Sequence, residues 1–181
     1  MSGSNGHLIL TATGADDVTA GGYYNQIVLG VGESTINAGV GYSTVTAAGG
    51  DTAITVTGNQ NTITTGAGAD TVTLGNGWNN IVNGGSGSAT VTGGYGNTYV
   101  AGAGTLDVTD FNATYGDVLD LTSLETSLGV TSSAFSVAAD TTTPTSLDVF
   151  VTQGASTTLV ATLGGTHGTL ASLEASALSH S

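Results

Sequence analysis

Residues 65–73 read TGAGADTVT and residues 74–82 read LGNGWNNIV. Each nonapeptide runs from small residues and glycine to a polar residue, then to an apolar residue flanked by outward side chains. In the extended half, alternate side chains point to opposite faces. Val72 therefore points inward, and Thr71 and Thr73 point outward. The glycine half turns the chain, because glycine takes positive φ cheaply. Outward from this pair, apolar β-branched residues recur at a step of nine: Val18, Ile27, Ile36, Val45, Ile54, Ile63, Val72 and Ile81. Glycines keep the same step at Gly21, Gly30 and Gly39, then at Gly66, Gly75, Gly84, Gly93 and Gly102. Ala48 and Thr57 fill the two gaps, each followed by a glycine. Such interlocked ladders are the signature of a repeat architecture. Two nonapeptides make one coil of 18 residues, and coils stack at about 4.8 Å, the spacing of paired strands. The eight residues of the apolar ladder are expected to form a shared interior column.

Composition supports this reading and excludes several functions. The chain has 181 residues, no lysine or arginine, 13 acidic residues and 3 histidines, for a formal charge of −13. Without a fixed cation it cannot displace counterions from nucleic acid or from an anionic membrane, so neither is an expected partner. Charged residues are 7% and hydrophobic residues 39% of the chain, the reverse of a disordered composition. Frequent glycine and many β-branched residues favour short strands and tight turns. Cysteine is absent, which removes disulfides and thiolate metal sites. The start, MSGSNGHLILTATG, lacks the basic and apolar regions of a signal peptide. No apolar run approaches the length of a membrane span, so membrane insertion is not expected.

The repeat resembles the nonapeptide GGxGxDxUx of the repeats-in-toxin (RTX, haemolysin-type) family, where U is a large apolar residue. The resemblance covers most of residues 3–105 and rests chiefly on the turn glycines. It implies a parallel β-roll, in which Asp side chains and turn carbonyls hold calcium between successive turns. The expected fold is thus all-β: a right-handed parallel β-solenoid (β-roll) over residues 3–105, followed by a small C-terminal β cap over 106–181. Five to six coils would give a rod roughly 25–30 Å long.

The family's calcium position is poorly kept. Read every nine residues, it is occupied by His7, Asp16, Asn25, Ser34, Ser43, Thr52, Asn61, Asp70, Asn79, Ser88, Asn97 and Leu106. Only Asp16 and Asp70 carry the carboxylate, and no two of these Asp residues face each other on adjacent coils. Calcium takes six to eight oxygens, carboxylates among them. The expectation is that most turns replace calcium with stacked hydrogen bonds, along a polar ladder of Asn25, Ser43, Asn61, Asn79 and Asn97. Asp16 and Asp70 stand either as calcium ligands or as solvated turn residues, with Asp17 and Asp51 beside them.

The period breaks after Gly102. Residues 107–121, DVTDFNATYGDVLDL, resemble the DFxxxxGDxIDL segment that closes the roll in RTX proteins. Phe111, Val118, Leu119 and Leu121 are expected to plug the core. Asp107, Asp110, Asp117 and Asp120 are the leading calcium candidates; the competing reading makes them caps of turns and of a short helix at 123–128. SLDVFVTQ and TTLVATLG alternate apolar and polar residues around the turn at 153–156, a β-hairpin pattern. TLASLEASALSHS ends the chain as a short amphipathic helix or tail. This layout resembles the C-terminal region of bacterial type I secreted proteins and implies export to the cell surface or medium.

No catalytic constellation is present. Cys nucleophiles, GxSxG and HExxH are absent, and His7, His167 and His180 are scattered towards the ends. Trp78 is read as an exposed turn aromatic at a contact surface, with sugar stacking as the alternative. Met1 starts almost within the first repeat without an N-terminal cap, and an exposed coil is a template for another subunit. The leading expectation is therefore a non-enzymatic extracellular structural protein. Its partner is itself, joined head-to-tail into a filament, surface layer or biofilm matrix. The alternative is a calcium-responsive C-terminal secretion and folding module of a larger secreted adhesin or hydrolase. Outward threonine pairs (Thr44/Thr46, Thr62/Thr64, Thr71/Thr73) raise a third reading, ice binding, against which Gln26, Val28, Asn37, Ala53 and Val82 make the array irregular.

Overall fold

The computed structural model describes residues 2–3, 9–143, 145–166 and 178–179. His7, His167, His180 and most of the C-terminal tail lie outside the described residues. Successive strands alternate between two sheets that face each other across the core. One sheet takes β1 (Ser2–Gly3), β3 (Asp17–Ala20), β5 (Ser34–Ala38), β7 (Thr52–Val56), β9 (Ala69–Thr73), β11 (Ser88–Thr92) and β13 (Thr105–Asn112), in that spatial order. The other takes β2 (Ile9–Ala12), β4 (Gln26–Val31), β6 (Thr44–Gly49), β8 (Thr62–Thr64), β10 (Ile81–Asn83), β12 (Thr98–Val100) and β14 (Val118–Asp120). All neighbours in these runs are parallel, and the chain is a parallel β-solenoid of about 6 turns.

The interior column is built as the nine-residue step requires. Val18, Ile27, Ile36, Val45, Ile54, Ile63 and Val72 are all buried. A second inward column follows two residues later in each strand: Ala20, Leu29, Ala38, Ala47, Val56 and Leu74 are buried as well. Its small members leave room for the larger ladder residues opposite, which close-packed interiors require.

Ile81 breaks the expectation. It is 41% exposed, while Val82 is fully buried and pairs in register with Ile63. The cause lies half a coil further on. A strict step of nine would carry the column from Val72 through Ile81 to Thr90, placing a hydroxyl in a dry core at a cost. Instead, one extra residue enters the turn between Val72 and Val82, so that Val82 and Val91 point inward. One residue fewer between Val91 and Tyr99 restores the original phase at Tyr99 and Val108, both buried.

Glycine is required where turns of adjacent coils touch. A Cβ at Gly58 would lie 1.6 Å from the Val40 carbonyl oxygen, and one at Gly102 would lie 1.7 Å from that of Gly84. At these positions the requirement is for close approach of two backbones.

Beyond β13 the stack is finished by other elements. β14 leads into α1 (Thr122–Leu128), which ends on Gly129 in the left-handed conformation. β15 (Phe135–Ala139), β16 (Leu147–Gln153) and β17 (Ser156–Thr166) form an antiparallel meander. The hairpin expected around 153–156 is the β16–β17 pair. β17 adds parallel to β13, so the meander extends the first sheet to ten strands. β18 (Leu178–Ser179) adds to β14 and makes the second sheet eight-stranded. Phe111, Leu119, Leu121 and Leu124 are buried against this end, whereas Val118 is half-buried and in register with Thr98 on the outer side. Buried residues from Val18 to Leu163 form one cluster, so the core is continuous across residues 105 and 106.

Candidate functional site: the two turn edges

The strands present their outer faces as rows of short polar side chains. On the ten-stranded sheet, Thr19, Asn37, Thr55, Thr73 and Thr92 are in register. The Thr92 hydroxyl meets that of Thr109 at 2.8 Å. The parallel row reads Asp17, Thr35, Ala53, Thr71, Thr90 and Asp107. Val82, placed among the outward residues by the strict repeat, belongs to the core. The chemistry that differs from place to place is on the two edges, where the chain turns from one sheet to the other.

On the first edge, a turn residue in each coil points its side chain inward and accepts hydrogen bonds from the coil before it. The Asn25 N–H donates to Ser43 Oγ at 3.2 Å, and the Ser43 N–H to Asn61 Oδ1 at 2.9 Å. The Asn61 N–H and Nδ2 both donate to Asn80 Oδ1, at 2.9 and 3.0 Å. Asn80 repeats the arrangement on Asn97 Oδ1, at 2.9 and 3.2 Å. The Asn97 N–H donates to Asp117 Oδ1 at 2.8 Å, while Asp117 Oδ2 accepts the Asn112 N–H at 2.8 Å. Asn25, Ser43, Asn61, Asn80, Asn97 and Asp117 are all buried. Buried polar groups need such partners, and this run satisfies main-chain N–H groups in every coil it crosses.

Asn80 replaces Asn79 in the ladder as expected from the sequence. The extra residue that turns Val82 inward also moves the ladder position by one. Asn79 is exposed and takes φ 55°, a conformation asparagine tolerates. The same left-handed conformation recurs just before every ladder residue: Tyr24 (φ 60°), Tyr42 (54°), Gln60 (57°), Asn79 (55°), Gly96 (63°) and Gly116 (88°). Thus the turn is geometrically constant while the side chain at that position varies.

Two of these six residues, Tyr24 and Tyr42, are aromatic, and four aromatic residues stand one position earlier in their turns. Tyr23, Tyr24, Tyr42, Trp78, Tyr95 and Tyr115 are all exposed on this edge, and they include the chain's one tryptophan and five of its six tyrosines. Tyr24 and Tyr42 stack with ring centroids 5.1 Å apart, and Tyr23 lies 6.3 Å from Tyr42. Trp78 is bridged in parallel to Tyr95, and Tyr95 meets Tyr115 edge-on at 6.4 Å. Asn59 and Gln60 occupy the coil between the two groups; Asn59 Oδ1 accepts the Trp78 N–H at 3.0 Å. The sixth tyrosine, Tyr99, is fully buried in the interior column. Burial, with the Asp117 carboxylate nearby, pushes its phenol above the ordinary tyrosine range.

The opposite edge is glycine-rich and acidic. Its ladder runs Asp16, Ser34, Thr52 and Asp70, then stops at buried Ala89; Ser88, expected there, is exposed because of the same one-residue shift. The Asp16 N–H donates to Ser34 Oγ at 3.3 Å, and the Thr52 N–H to Asp70 Oδ1 at 2.9 Å. Asp70 Oδ2 accepts the Gly66 N–H at 3.1 Å, and Asp51 Oδ1 accepts that of Ala69 at 2.8 Å. Asp16 Oδ2 is a buried oxygen with no hydrogen-bond partner among the described residues.

The four carboxylates of residues 107–120 are dispersed. Asp110 accepts the Gly93 N–H through both oxygens, at 3.0 and 2.8 Å. Asp117 closes the amide ladder, and burial pushes its carboxyl above the usual range despite the N–H groups it accepts. Asp120 Oδ1 accepts the Thr122 N–H at 2.9 Å, at the start of α1. Asp107 is exposed on the ten-stranded sheet, beside a cleft of about 490 Å³ that Asp140 and Thr162 also line. Partial burial and the charge of Asp140 push its carboxyl up. Asp140 is held low by the N–H of Thr142 at 2.7 Å and its hydroxyl at 2.8 Å. Among the described residues no three His, Cys, Asp or Glu side chains converge in a metal-holding group.

Sequence reasoning missed the aromatic edge as a unit. The signal was present: Tyr24 and Tyr42 are 18 residues apart, and Tyr23, Trp78 and Tyr95 share one column once the inserted residue is counted. No family model, characterised protein or solved structure matches the chain significantly.

Proposed function

We propose that this chain is an extracellular structural protein that self-assembles by stacking solenoids end to end into a filament, surface layer or biofilm matrix. One observation carries the reading: among the described residues, both sheets end on strands with a hydrogen-bonded neighbour on one side only. β1 and β15 bound the ten-stranded sheet, and β2 and β18 bound the eight-stranded one. Such edges present main-chain donors and acceptors that template another strand. Joining the β1 end of one copy to the β15 end of the next is a heterologous contact, which propagates rather than closes. The threonine rows on the sheet faces favour side-by-side packing of such rods. Export through a type I-like C-terminal region accords with the resemblance to RTX proteins.

The test is electron microscopy of the purified protein, with calcium and with chelator, alongside circular dichroism. Fibres with an unchanged β spectrum are expected in both conditions, because the turns are held by amide and hydroxyl ladders. Strictly monomeric sedimentation across calcium and pH ranges would overturn the proposal. Unfolding in chelator would instead favour the calcium-responsive module.

A further inference from the structure

We propose that the aromatic edge is a binding strip for a neutral, extended β-linked polysaccharide lying parallel to the solenoid axis. Three observations on this edge carry the inference, independently of self-assembly. The first is the rings themselves. Six exposed aromatic side chains line the turns of this edge, in two groups on either side of Asn59 and Gln60, and Val40 is exposed beside them. Contiguous exposed apolar surface of this kind marks an interaction site. Ring faces stack on the apolar C–H faces of pyranose sugars, and coils at about 4.8 Å match the rise of an extended sugar chain. Tyr42 and Trp78 lie two coils apart, about 9.6 Å at that spacing, the span of an extended disaccharide.

Backbone strain is the second observation. Tyr24 and Tyr42 sit at φ 60° and 54°, where an L-residue costs about 1–2 kcal/mol. The equivalent turn positions Gly96 and Gly116 show that glycine fits the same fold. Strained residues persist where function holds them, and the added feature at 24 and 42 is an exposed ring.

The third is charge. The turns at 21–24, 39–42, 57–60, 75–79 and 93–96 contain no charged residue, in a chain of net charge −13. The carboxylates that reach this edge are engaged by main-chain N–H groups: Asp110 by that of Gly93, and buried Asp117 by those of Asn97 and Asn112. The long-range field of the protein repels anionic glycans, and the neutral edge leaves uncharged ones. Asn59, Gln60, Asn76 and Asn79 lie between the rings and are at least partly exposed. In a dry contact with another copy these amides would each need a partner, whereas sugar hydroxyls supply donors and acceptors at the spacing of the rings.

The experiment is depletion of the full-length protein from solution by microcrystalline cellulose and by chitin, with alginate as the anionic control. Binding to at least one neutral polymer and none to alginate is expected. The variant Tyr24→Asn/Tyr42→Asn/Trp78→Ala should bind at least tenfold more weakly with an unchanged circular dichroism spectrum, since asparagine already holds this turn at position 79. Gln60→Tyr fills the gap in the line with a residue the same turn accepts at 24 and 42. It should tighten binding at least threefold, which keeps the test decisive if the triple variant does not fold. Failure of the native chain to bind either neutral polymer, or equal binding by the native and Gln60→Tyr proteins, overturns the proposal. So does ring-dependent dimerisation in sedimentation without polysaccharide binding, which would assign the edge to a second copy.

Discussion

The two turn edges reverse the chain between the same pair of sheets, yet they hold their coils together differently. The aromatic edge carries an unbroken run of buried acceptors from Ser43 to Asp117, and each takes a main-chain N–H from the coil before. The acidic edge joins Asp16 to Ser34 and Thr52 to Asp70, then gives way to Ala89. A fully satisfied ladder fixes the turn closely enough to carry large exposed rings on residues in a strained conformation. The other edge carries glycines and carboxylates instead. Asp16 and Asp70 belong to that edge, and Asp16 keeps a buried oxygen without a hydrogen-bond partner among the described residues. The difference is that buried amide and carboxylate acceptors run unbroken along the edge that bears the rings.

The largest expected effect tests this contrast directly. Asn61→Ala leaves the Ser43 N–H without its acceptor and the Gly58 carbonyl without the Asn61 Nδ2 donor, both in buried surroundings. Two orphaned groups of this kind cost about 3 kcal/mol. Ser34→Ala, on the acidic edge, removes hydrogen bonds of 3.3 and 3.4 Å and should cost about 1 kcal/mol. Urea denaturation of both variants gives the comparison. Equal losses would mean that the two edges are held with similar strength, and the contrast would fail.

A smaller effect sharpens the comparison at the point where the aromatic edge lengthens by one residue. Val82→Ala should cost about 2 kcal/mol, the value of a fully buried valine side chain. Ile81→Ala, at an exposed position, should stay within about 0.5 kcal/mol. Thermal melts that reverse this order would restore the strict nine-residue step and return Asn79 to the ladder.

That position also marks where the sequence stopped being legible. Seven members of the interior column, the coil of 18 residues and the hairpin at 153–156 follow from periodicity, because burial imposes a step that every coil must share. The segment WNNIV does not decide its own phase: it offers two asparagines for one ladder site and two apolar residues for one core site. The choice is made half a coil later, by the cost of burying Thr90 against the gain from burying Val91. The carboxylates of 107–120 were equally ambiguous, since proximity in sequence does not fix direction in space. Strict alternation would put Asp107 and Phe111 on one face, but a register shift between Val108 and Phe111 leaves Asp107 exposed and Phe111 buried, and Asp117 is drawn into a ladder whose other members lie far away in the chain. The aromatic line was hidden for a related reason. Its members occupy two adjacent turn columns, and the inserted residue shifts them out of a simple step.

The smallest expected effect bears on the strain that the aromatic edge stores. Gln60 sits at φ 57° in the same turn position as Tyr24 and Tyr42, without their stacking. Its N–H donates to the Trp78 carbonyl at 3.1 Å, a bond that glycine would keep. Relief of the left-handed penalty is worth about 1–2 kcal/mol, and the greater backbone freedom of unfolded glycine takes back about 0.5–1 kcal/mol. Gln60→Gly should therefore stabilise the protein by about 0.5–1 kcal/mol, read as a rise in melting temperature. Two residues earlier the logic is opposite, because the space at Gly58 is closed by the Val40 carbonyl and no side chain fits. A loss of stability in Gln60→Gly would show that the turn column is not strained. The tyrosines at 24 and 42 would then need no functional reason to be there, and the contrast between the edges would reduce to hydrogen bonding alone.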